Sequence, residues 1–319
     1  AETIEEYLTN MGAHMLLTEV AKRYQYVDDD IAFHAAWALT NLASGSFEGP
    51  IIDCGGAEAF MELMGSCNPA IVDQASWGSG NLAGGSWERR DELLKRGLAR
   101  KTAQVWDRIL RADAENPDSN LATMSKSGLI NIMWMAGNLC RSRTNPVNYD
   151  LVECLLPGMM HFKDHEDKQL VHASLWAISF VITTRMRMRR IYETHGEELV
   201  ASCIRHMQST TKECCPAIRI LRDFLEGGSN EQVAYILDAG VLDHIGKALS
   251  YPRKDSKAYA CYSLMAIFQK KNDAFTVQIF SVGLVEGLLT AACFSEKDDA
   301  ERVASHALAA LQSCVEAAR

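Results

Sequence analysis

The stretch Trp37-Ala38-Leu39-Thr40-Asn41 recurs as Trp77-Gly78-Ser79-Gly80-Asn81 and as Trp134-Met135-Ala136-Gly137-Asn138. In each copy a Trp and an Asn stand four residues apart, so in an α-helix their side chains share one face about one turn apart. The pair places an aromatic wall beside a carboxamide, which both donates and accepts hydrogen bonds. Because three copies recur, we interpret them as successive contacts for one extended peptide, in preference to core tryptophans beside asparagines that only satisfy loop carbonyls.

The copies recur at a spacing that is typical of helical repeats. Forty residues separate Trp37 from Trp77, and 57 separate Trp77 from Trp134. Weaker copies then follow at steps of 42, 43, 43 and 44 residues, at Trp176, Arg219, Tyr262 and His306. A period of about 40 to 47 residues indicates armadillo or HEAT repeats. The long second step predicts a polar insertion near residues 111–123, either an extended loop or a helix extension.

Each repeat has the same internal order. A turn that contains Gly is followed by an apolar-periodic helix, a short polar break and then the helix that carries the Trp. The turns lie at Gly55, Gly97, Gly240 and Gly283. Gly just past a helix end supplies a left-handed cap, and no stretch alternates with the period of a strand.

One short helix followed by two longer ones favours armadillo over HEAT. We predict an all-α, right-handed superhelical armadillo solenoid in which residues 1–319 form a single domain. It holds about seven to eight repeats, of which the first, at Thr3 to Tyr24, and the last, at Glu301 to Ala318, are incomplete.

Composition limits the classes of partner. Apolar residues make up 48% of the chain, which is ample for a continuous core, and the net charge is -9. An acidic protein favours basic partners over nucleic acid or an anionic membrane. The longest uncharged apolar run, from Ala173 to Thr184, is too short to span a bilayer. Ten Cys without a framework spacing predict reduced thiols in the cytoplasm or nucleus.

The sequence gives little support for a phosphate-binding, zinc or catalytic site. The Gly-rich run from Gly78 to Gly85 lacks the Gly-Lys-Ser/Thr of a phosphate-binding loop, so small residues there predict a close approach of a ligand or helix. His161 and His165 share a helix face near Cys154 and His172, but no third zinc ligand is fixed by spacing. No catalytic residue, metal or cofactor is expected.

Four stretches of the chain resemble successive armadillo repeats of one family. Residues 36–45 resemble the second repeat of importin-alpha, the adaptor that recognises nuclear localisation signals, and residues 73–84 resemble the third. Residues 138–141 resemble the fourth repeat and residues 175–180 the fifth, while Arg219 matches the sixth repeat of that family. The resemblance is specific over residues 30 to 180 and is weaker afterwards.

The resemblance implies that an extended basic peptide lies along a concave groove made by the third helix of each repeat. The Asn side chains would hold the peptide main chain, and the Trp side chains would form slots for Lys or Arg stems. Arg141 would hold the neighbouring Trp/Asn pair in place. The expected cargo-binding residues are Trp37, Asn41, Ser44, Gln74, Trp77, Asn81, Trp134, Asn138, Arg141, Trp176 and Arg219.

The chain departs from this family at positions that select charge. Gly85 stands where the family has an Asp that anchors a Lys of the signal, and Ala173 replaces an acidic residue before Trp176. The loop after Asn41 is one residue shorter and contains Phe47, Glu48 and Pro50. Losing a partly buried ion pair to a cationic ligand costs about 2–5 kcal/mol. We therefore expect the main-chain contacts to persist with altered charge selectivity.

The later repeats have diverged further. The pairs at the family's second basic-peptide site have become Tyr262 with Ala266 and His306 with Ala310. The run from Arg185 to Arg190 has two interpretations, which the sequence leaves open. It is either a solvated helix start whose two Met pack, or a basic patch that attracts acidic cargo or repels basic cargo.

The sequence therefore predicts a non-enzymatic, importin-alpha-like nuclear import adaptor that works in the cytoplasm and nucleus. Its partners would be a cargo protein with a nuclear localisation signal or other extended segment and an importin-beta-type receptor if the full-length protein has an N-terminal arm. The alternative is an armadillo scaffold or dedicated chaperone that binds one folded partner outside the signal site. Neither function requires direct contact with nucleic acid or a membrane.

Overall fold

The computed structural model describes residues 3–45, 47–115, 121, 123–142, 145–182, 184–208, 214–250, 254–293 and 300–317. Within these ranges the chain is helical and contains no strand. The predicted all-α class is confirmed.

Twenty α-helices and one 3-10 turn, at Glu153–Leu155, follow one another along this part of the chain. The helices are α1 Ile4–Asn10, α2 Ala13–Tyr24, α3 Asp29–Ala43, α4 Glu48–Asp53, α5 Gly56–Leu63, α6 Pro69–Gly85, α7 Trp87–Lys95, α8 Leu98–Glu115, α9 Lys126–Cys140, α10 Tyr149–Val152, α11 Leu156–Phe162, α12 Lys168–Val181, α13 Arg185–Met207, α14 Cys214–Gly227, α15 Asn230–Asp238, α16 Val241–Ser250, α17 Lys254–Phe268, α18 Asp273–Ser281, α19 Leu284–Cys293 and α20 Ala300–Ala317.

The helices that carry the Trp/Asn pairs begin at side-chain caps. Asp28 accepts hydrogen bonds from the backbone N–H groups of Asp30 and Ile31 at the start of α3. Asn68 caps α6, which opens with Pro69, and Ser125 caps α9. These residue types satisfy N–H groups that have no partner within the helix, so each helix starts at a fixed residue.

The turn between the first and second helix of a repeat is the predicted glycine turn. Gly55, Gly97, Gly240 and Gly283 have φ angles of 87°, 93°, 86° and 70°. Residues other than glycine rarely adopt this left-handed backbone conformation. The glycine therefore ends one helix and directs the chain into the next.

The chain divides into two compact units, residues 1–181 and residues 182–319. In the first unit α3, α6, α9 and α12 pack side by side in chain order, and α2, α5, α8 and α11 pack against them from behind. We call α3, α6, α9 and α12 the third-helix row. Apolar side chains between the two layers, such as Leu39, Leu82 and Leu139, are fully buried. Burial of this seam stabilises helices that would be marginal alone.

The second unit repeats the same arrangement. α14, α17 and α20 pack in order, and α13, α16 and α19 lie against them. α13 differs from the other first helices because its 23 residues run through two helical positions of the repeat. The single domain over residues 1–319 stays a prediction, and each unit is a helical repeat array in its own right.

The predicted insertion divides into two parts. Residues 111–115 form the last turn of α8, and the choice between an extended loop and a helix extension stays a prediction. Residues 116–120 and 122 lie outside the described residues. α9 begins at Lys126 after its Ser125 cap.

No single helix of the described chain is long and apolar enough to cross a bilayer. One pair, Asp273–Ser281 with Leu284–Ala291, meets the length and composition criteria together but is bent by 73°.

Candidate functional site

The three repeated tryptophans lie on the surface of the third-helix row. Trp37 on α3, Trp77 on α6 and Trp134 on α9 are 48%, 42% and 40% exposed. Their neighbours Ala36 and Ser76 on the same helices are fully buried. An indole that keeps two fifths of its surface is not a core residue, and it leaves an apolar face for another molecule.

The asparagines join neighbouring third helices. Asn81 on α6 donates from Nδ2 to the carbonyl of Thr40 on α3 at 3.1 Å, and Asn138 on α9 donates to the carbonyl of Gly80 on α6 at 3.0 Å. In both cases the acceptor is the residue just before the Asn of the preceding repeat. Asn41 is exposed.

Each bridging carboxamide has hydrogen-bonding capacity left. A carboxamide has two N–H donors and an oxygen with two lone pairs. One N–H of Asn81 and one of Asn138 bond the adjacent helix, and neither side chain makes a further hydrogen bond within the described chain. The second N–H and the oxygen can therefore bond an extended peptide main chain while the first N–H holds the helices together.

Five of the predicted residues surround one cavity of about 250 Å³ in the first unit. They are Ser44, Asn81, Trp134, Asn138 and Arg141. We call it the central cavity, and the rest of its lining is Ala43, Gly45, Glu48, Gly84 and Gly85.

The remaining predicted residues lie elsewhere. Trp37, Asn41, Gln74, Trp77 and Trp176 are on the third-helix row but do not line the central cavity. Gln74 accepts from the Thr40 hydroxyl through its backbone carbonyl at 3.1 Å. Its Oε1 is buried and has no hydrogen-bond partner in the described part of the chain.

Trp176 differs from the other three tryptophans. Its Nε1 donates to Nε2 of His172 at 3.1 Å, and the Phe180 ring stacks on it with centroids 5.7 Å apart. Phe180 stands four residues after Trp176, where the first three pairs have Asn. The fourth pair is therefore aromatic and offers no carboxamide.

Glycines of α6 make room for the cavity lining, as the sequence predicts for this Gly-rich run. A methyl group on Gly80 would overlap the indole of Trp134, which rests on the α6 backbone. A methyl group on Gly85 would overlap Oε1 of Glu48. The indole and the carboxylate thus approach the backbone only because both positions lack a side chain.

A buried arginine that the sequence analysis missed organises the segment after α9. Arg90 on α7 is 2% exposed and pairs with Asp91 at 2.7 Å. Its guanidinium also donates to the backbone carbonyls of Arg141 and Asn145, the latter at 3.2 Å. Asn145 in turn donates to Asp91 at 3.2 Å. Arg141 therefore emerges from a backbone that Arg90 fixes.

A second cavity of about 330 Å³ adjoins these residues. Asn138, Arg141, Gly84 and Gly85 line it as well as the central cavity. Its other lining residues are Ala83, Ser86, Trp87 and Arg90. Trp87 is 46% exposed and was not among the predicted site residues.

In the second unit the corresponding positions contact one another. Tyr262 Oη lies 2.9 Å from Nε2 of His306, and the Arg222 guanidinium lies 5.9 Å from the centre of the Tyr262 ring. Asp223, four residues after Arg219, pairs with Arg222 at 2.6 Å. Burial raises the pKa of the Asp223 carboxyl to about 6, although Arg222 and Arg219 oppose the shift. These contacts replace the open Trp/Asn pairs of the first unit.

The basic run forms the start of α13. Met188 and Arg187 are buried there, whereas Met186 is 77% exposed. Arg185 and Arg189 are exposed. One of the two Met packs, and the basic-patch interpretation stays a prediction.

The next candidate is the pair His161 and His165, which the sequence analysis did not interpret as a metal site. Within the described ranges, no group of three or more His, Cys, Asp and Glu side chains could hold a metal ion. His161 and His165 pack against Phe162 with ring centroids 4.9 and 6.0 Å away.

Comparisons with known proteins point to one kind of protein. No protein-family model matches the sequence. Importin subunit alpha-1b of Oryza sativa subsp. japonica is 26% identical over 264 residues, which cover 82% of this chain and 46% of that protein. Importin subunit alpha-2 of Arabidopsis thaliana is 31% identical over 180 residues, 56% of this chain and 30% of that protein. The chain thus spans less than half the length of these curated relatives.

Solved structures show the same fold. An engineered protein matches 95% of this chain and 82% of its own length, with a TM-score of 0.59 and 18% identity. A designed armadillo repeat protein in complex with the peptide (KR)4 matches 93% of this chain and 99% of its own length, with a TM-score of 0.51 and 15% identity.

The helical layers, the spacing of the repeats and these likenesses define an armadillo-repeat fold. In sequence the chain is similar to importin alpha subunits, at 23–31% identity over 56–82% of its length.

Proposed function

We propose that the protein is an importin-alpha-like nuclear import adaptor that binds an extended basic segment of its cargo along the third-helix row. The observation that carries this proposal is the shared lining of the central cavity by Asn81, Asn138 and Trp134. Two carboxamides with free hydrogen-bonding capacity bind a main chain in any sequence, and an exposed indole beside them binds the stem of a Lys or Arg.

Charge supports a basic ligand. The net charge of -9 attracts cations over distances of about a Debye length, roughly 8–10 Å. The designed armadillo neighbour was solved with a Lys-Arg peptide. On this proposal the cargo carries a nuclear localisation signal and the complex acts in the cytoplasm and nucleus. An importin-beta-type receptor joins it if the full-length protein has an N-terminal arm.

The test is a fluorescence titration of the (KR)4 peptide at physiological salt. We expect micromolar binding by the wild type, a loss of at least tenfold in the Asn81→Ala/Asn138→Ala variant, and weaker binding as salt rises. Asn41→Ala supplies a second, exposed carboxamide variant that does not disturb a helix–helix hydrogen bond. Equal affinity for the wild type and the double variant, with both folded, would refute the proposal.

A second candidate is a scaffold or dedicated chaperone for one folded partner. The observation that favours it is the loss of carboxamides beyond Asn138, since Phe180 and Asp223 stand at the next two Asn positions. This function requires a contact surface outside the central cavity, with the exposed Arg185 and Arg189 of α13 as part of it. Under it, Asn variants leave partner binding unchanged and charge reversal at Arg189 weakens it.

A further inference from the structure

Glu48 supplies a carboxylate to the central cavity from outside the third-helix row. It is the first residue of α4 and is partly buried. Its Oε1 lies against Gly85, at the end of α6, where a methyl group would overlap it. Because α4 packs on α6, this contact places the carboxylate beside Gly84 and Gly85 in the cavity wall.

The carboxylate is unpaired within the described part of the protein. Glu48 makes no hydrogen bond and no ion pair there, although the Arg89 guanidinium lies beside Gly49, the next residue of α4. Arg89 instead pairs with Asp53 at 3.7 Å and with Glu92 at 2.9 Å. The charge of Glu48 is therefore available to a ligand.

The lining of the central cavity is chemically asymmetric. Glu48 is its one acidic residue and Arg141 its one basic residue among the described residues. Arg141 also lines the second cavity, which contains Arg90 and has no acidic lining residue. The negative end of the central cavity is thus the end that Glu48 forms.

The other groups of the cavity fit the stem of a cationic side chain. The Trp134 indole is 40% exposed and rests on Gly80, so its position is fixed from below. An indole attracts a cation near its face, and a carboxylate binds an ammonium or guanidinium head by a charge-assisted hydrogen bond. Asn81 and Asn138 hold the main chain from which such a side chain would project.

We propose that Glu48 is the residue by which the central cavity selects a Lys or Arg side chain of the bound peptide. This inference rests on the proposed function. Gly85 leaves the space in which the Glu48 carboxylate lies, because a methyl group at that position would overlap Oε1 of Glu48. On this proposal Glu48 of α4 supplies the acidic group that is absent at position 85 of α6.

The experiment uses the (KR)4 peptide and three variants of the whole chain. Glu48→Gln keeps the shape of the side chain and removes its charge. Glu48→Ala/Gly85→Asp moves the carboxylate from α4 to α6. Glu88→Gln, an exposed position on α7 that lines neither cavity, controls for the change in net charge.

We expect Glu48→Gln to weaken binding about thirtyfold or more, as for loss of one partly buried charge pair. Glu88→Gln should stay within about twofold of the wild type, since exposed charges contribute little. The relocated carboxylate should recover most of the loss, which a merely structural role of Glu48 would not produce.

Two results would overturn the inference, and they are distinguishable. If the wild type binds (KR)4 through Asn81 and Asn138 but Glu48→Gln binds equally well, only the role of Glu48 fails. If the wild type does not bind (KR)4 at all, the proposed function fails and this inference fails with it.

Discussion

Asn138 combines a structural contact with a predicted binding contact in one side chain. It is 7% exposed and its Nδ2 bonds the Gly80 carbonyl across the α6–α9 interface. Asn41, at the same position of its own repeat, is exposed and makes no side-chain hydrogen bond within the described chain. If an Asn138 variant loses peptide binding, its free energy of unfolding must therefore also be measured, to separate lost binding from lost stability.

We expect Asn138→Ala to lower the free energy of unfolding by about 1–2 kcal/mol, because the interhelical hydrogen bond is lost and a buried polar atom loses its partner. Asn41→Ala should change it by less than about 0.5 kcal/mol. Urea denaturation followed by circular dichroism measures both. Equal effects of the two substitutions would contradict the bridging role of Asn138.

Asp223 makes the stability of the protein depend on pH. Burial raises the pKa of this carboxyl from an ordinary 3.8 to about 6 in the folded state. The folded state therefore binds more protons than the unfolded state between about pH 4 and pH 6, and the free energy of unfolding falls as the pH rises through that window. The pKa difference corresponds to a loss on the order of 3 kcal/mol.

We expect Asp223→Asn to remove this part of the pH dependence, because an amide does not ionise. Relative to the wild type, the variant should gain roughly 2 kcal/mol of stability between pH 4.5 and pH 7. Urea midpoints at the two pH values test this, with Asp238→Asn at the exposed end of α15 as control. A wild-type and an Asp223→Asn curve that run parallel would show that the carboxyl is ionised normally.

Among the helices, α6 is the one whose composition is most closely tied to the site. The Trp134 indole of α9 lies against Gly80, and the Glu48 carboxylate of α4 lies against Gly85. Two neighbouring helices thus reach the central cavity across the backbone of α6. Glycine inside a helix costs about 1 kcal/mol relative to Ala, which the packing of these side chains offsets.

We expect Gly80→Ala to lower the stability by about 1–3 kcal/mol and to weaken peptide binding, because the new methyl group displaces the Trp134 indole. Gly137→Ala on α9 is the matched control. Its methyl group would meet Ala177 at an ordinary 3.7 Å, so the gain in helix propensity should stabilise the protein by up to about 1 kcal/mol. Thermal denaturation and the (KR)4 titration decide whether the two glycines differ in this way.

The elements show what the sequence could predict and what it could not. The helices, their glycine turns and the Trp and Asn face follow from periods of 3.6 and about 40 residues, which are local properties. Glu48 and Arg90 were missed as site residues because their roles depend on which helix packs beside them. The sequence alone places Glu48 only in a shortened loop and leads to no prediction for Arg90.

At the scale of the molecule, the two units carry different surfaces on corresponding helices. The first unit presents open tryptophans, bridging carboxamides and the central cavity. In the second unit, Tyr262 contacts His306 and Arg222 pairs with Asp223. These differences favour the first unit as the site of the proposed basic-peptide binding.

A crystal structure of the whole chain with the (KR)4 peptide tests the proposed binding mode directly. We predict an extended peptide along α3, α6 and α9, with its main chain bound to the carboxamides of Asn81 and Asn138. One basic side chain should enter the central cavity beside Trp134 and end at Glu48. A peptide bound elsewhere, with the central cavity empty, would contradict the proposed function.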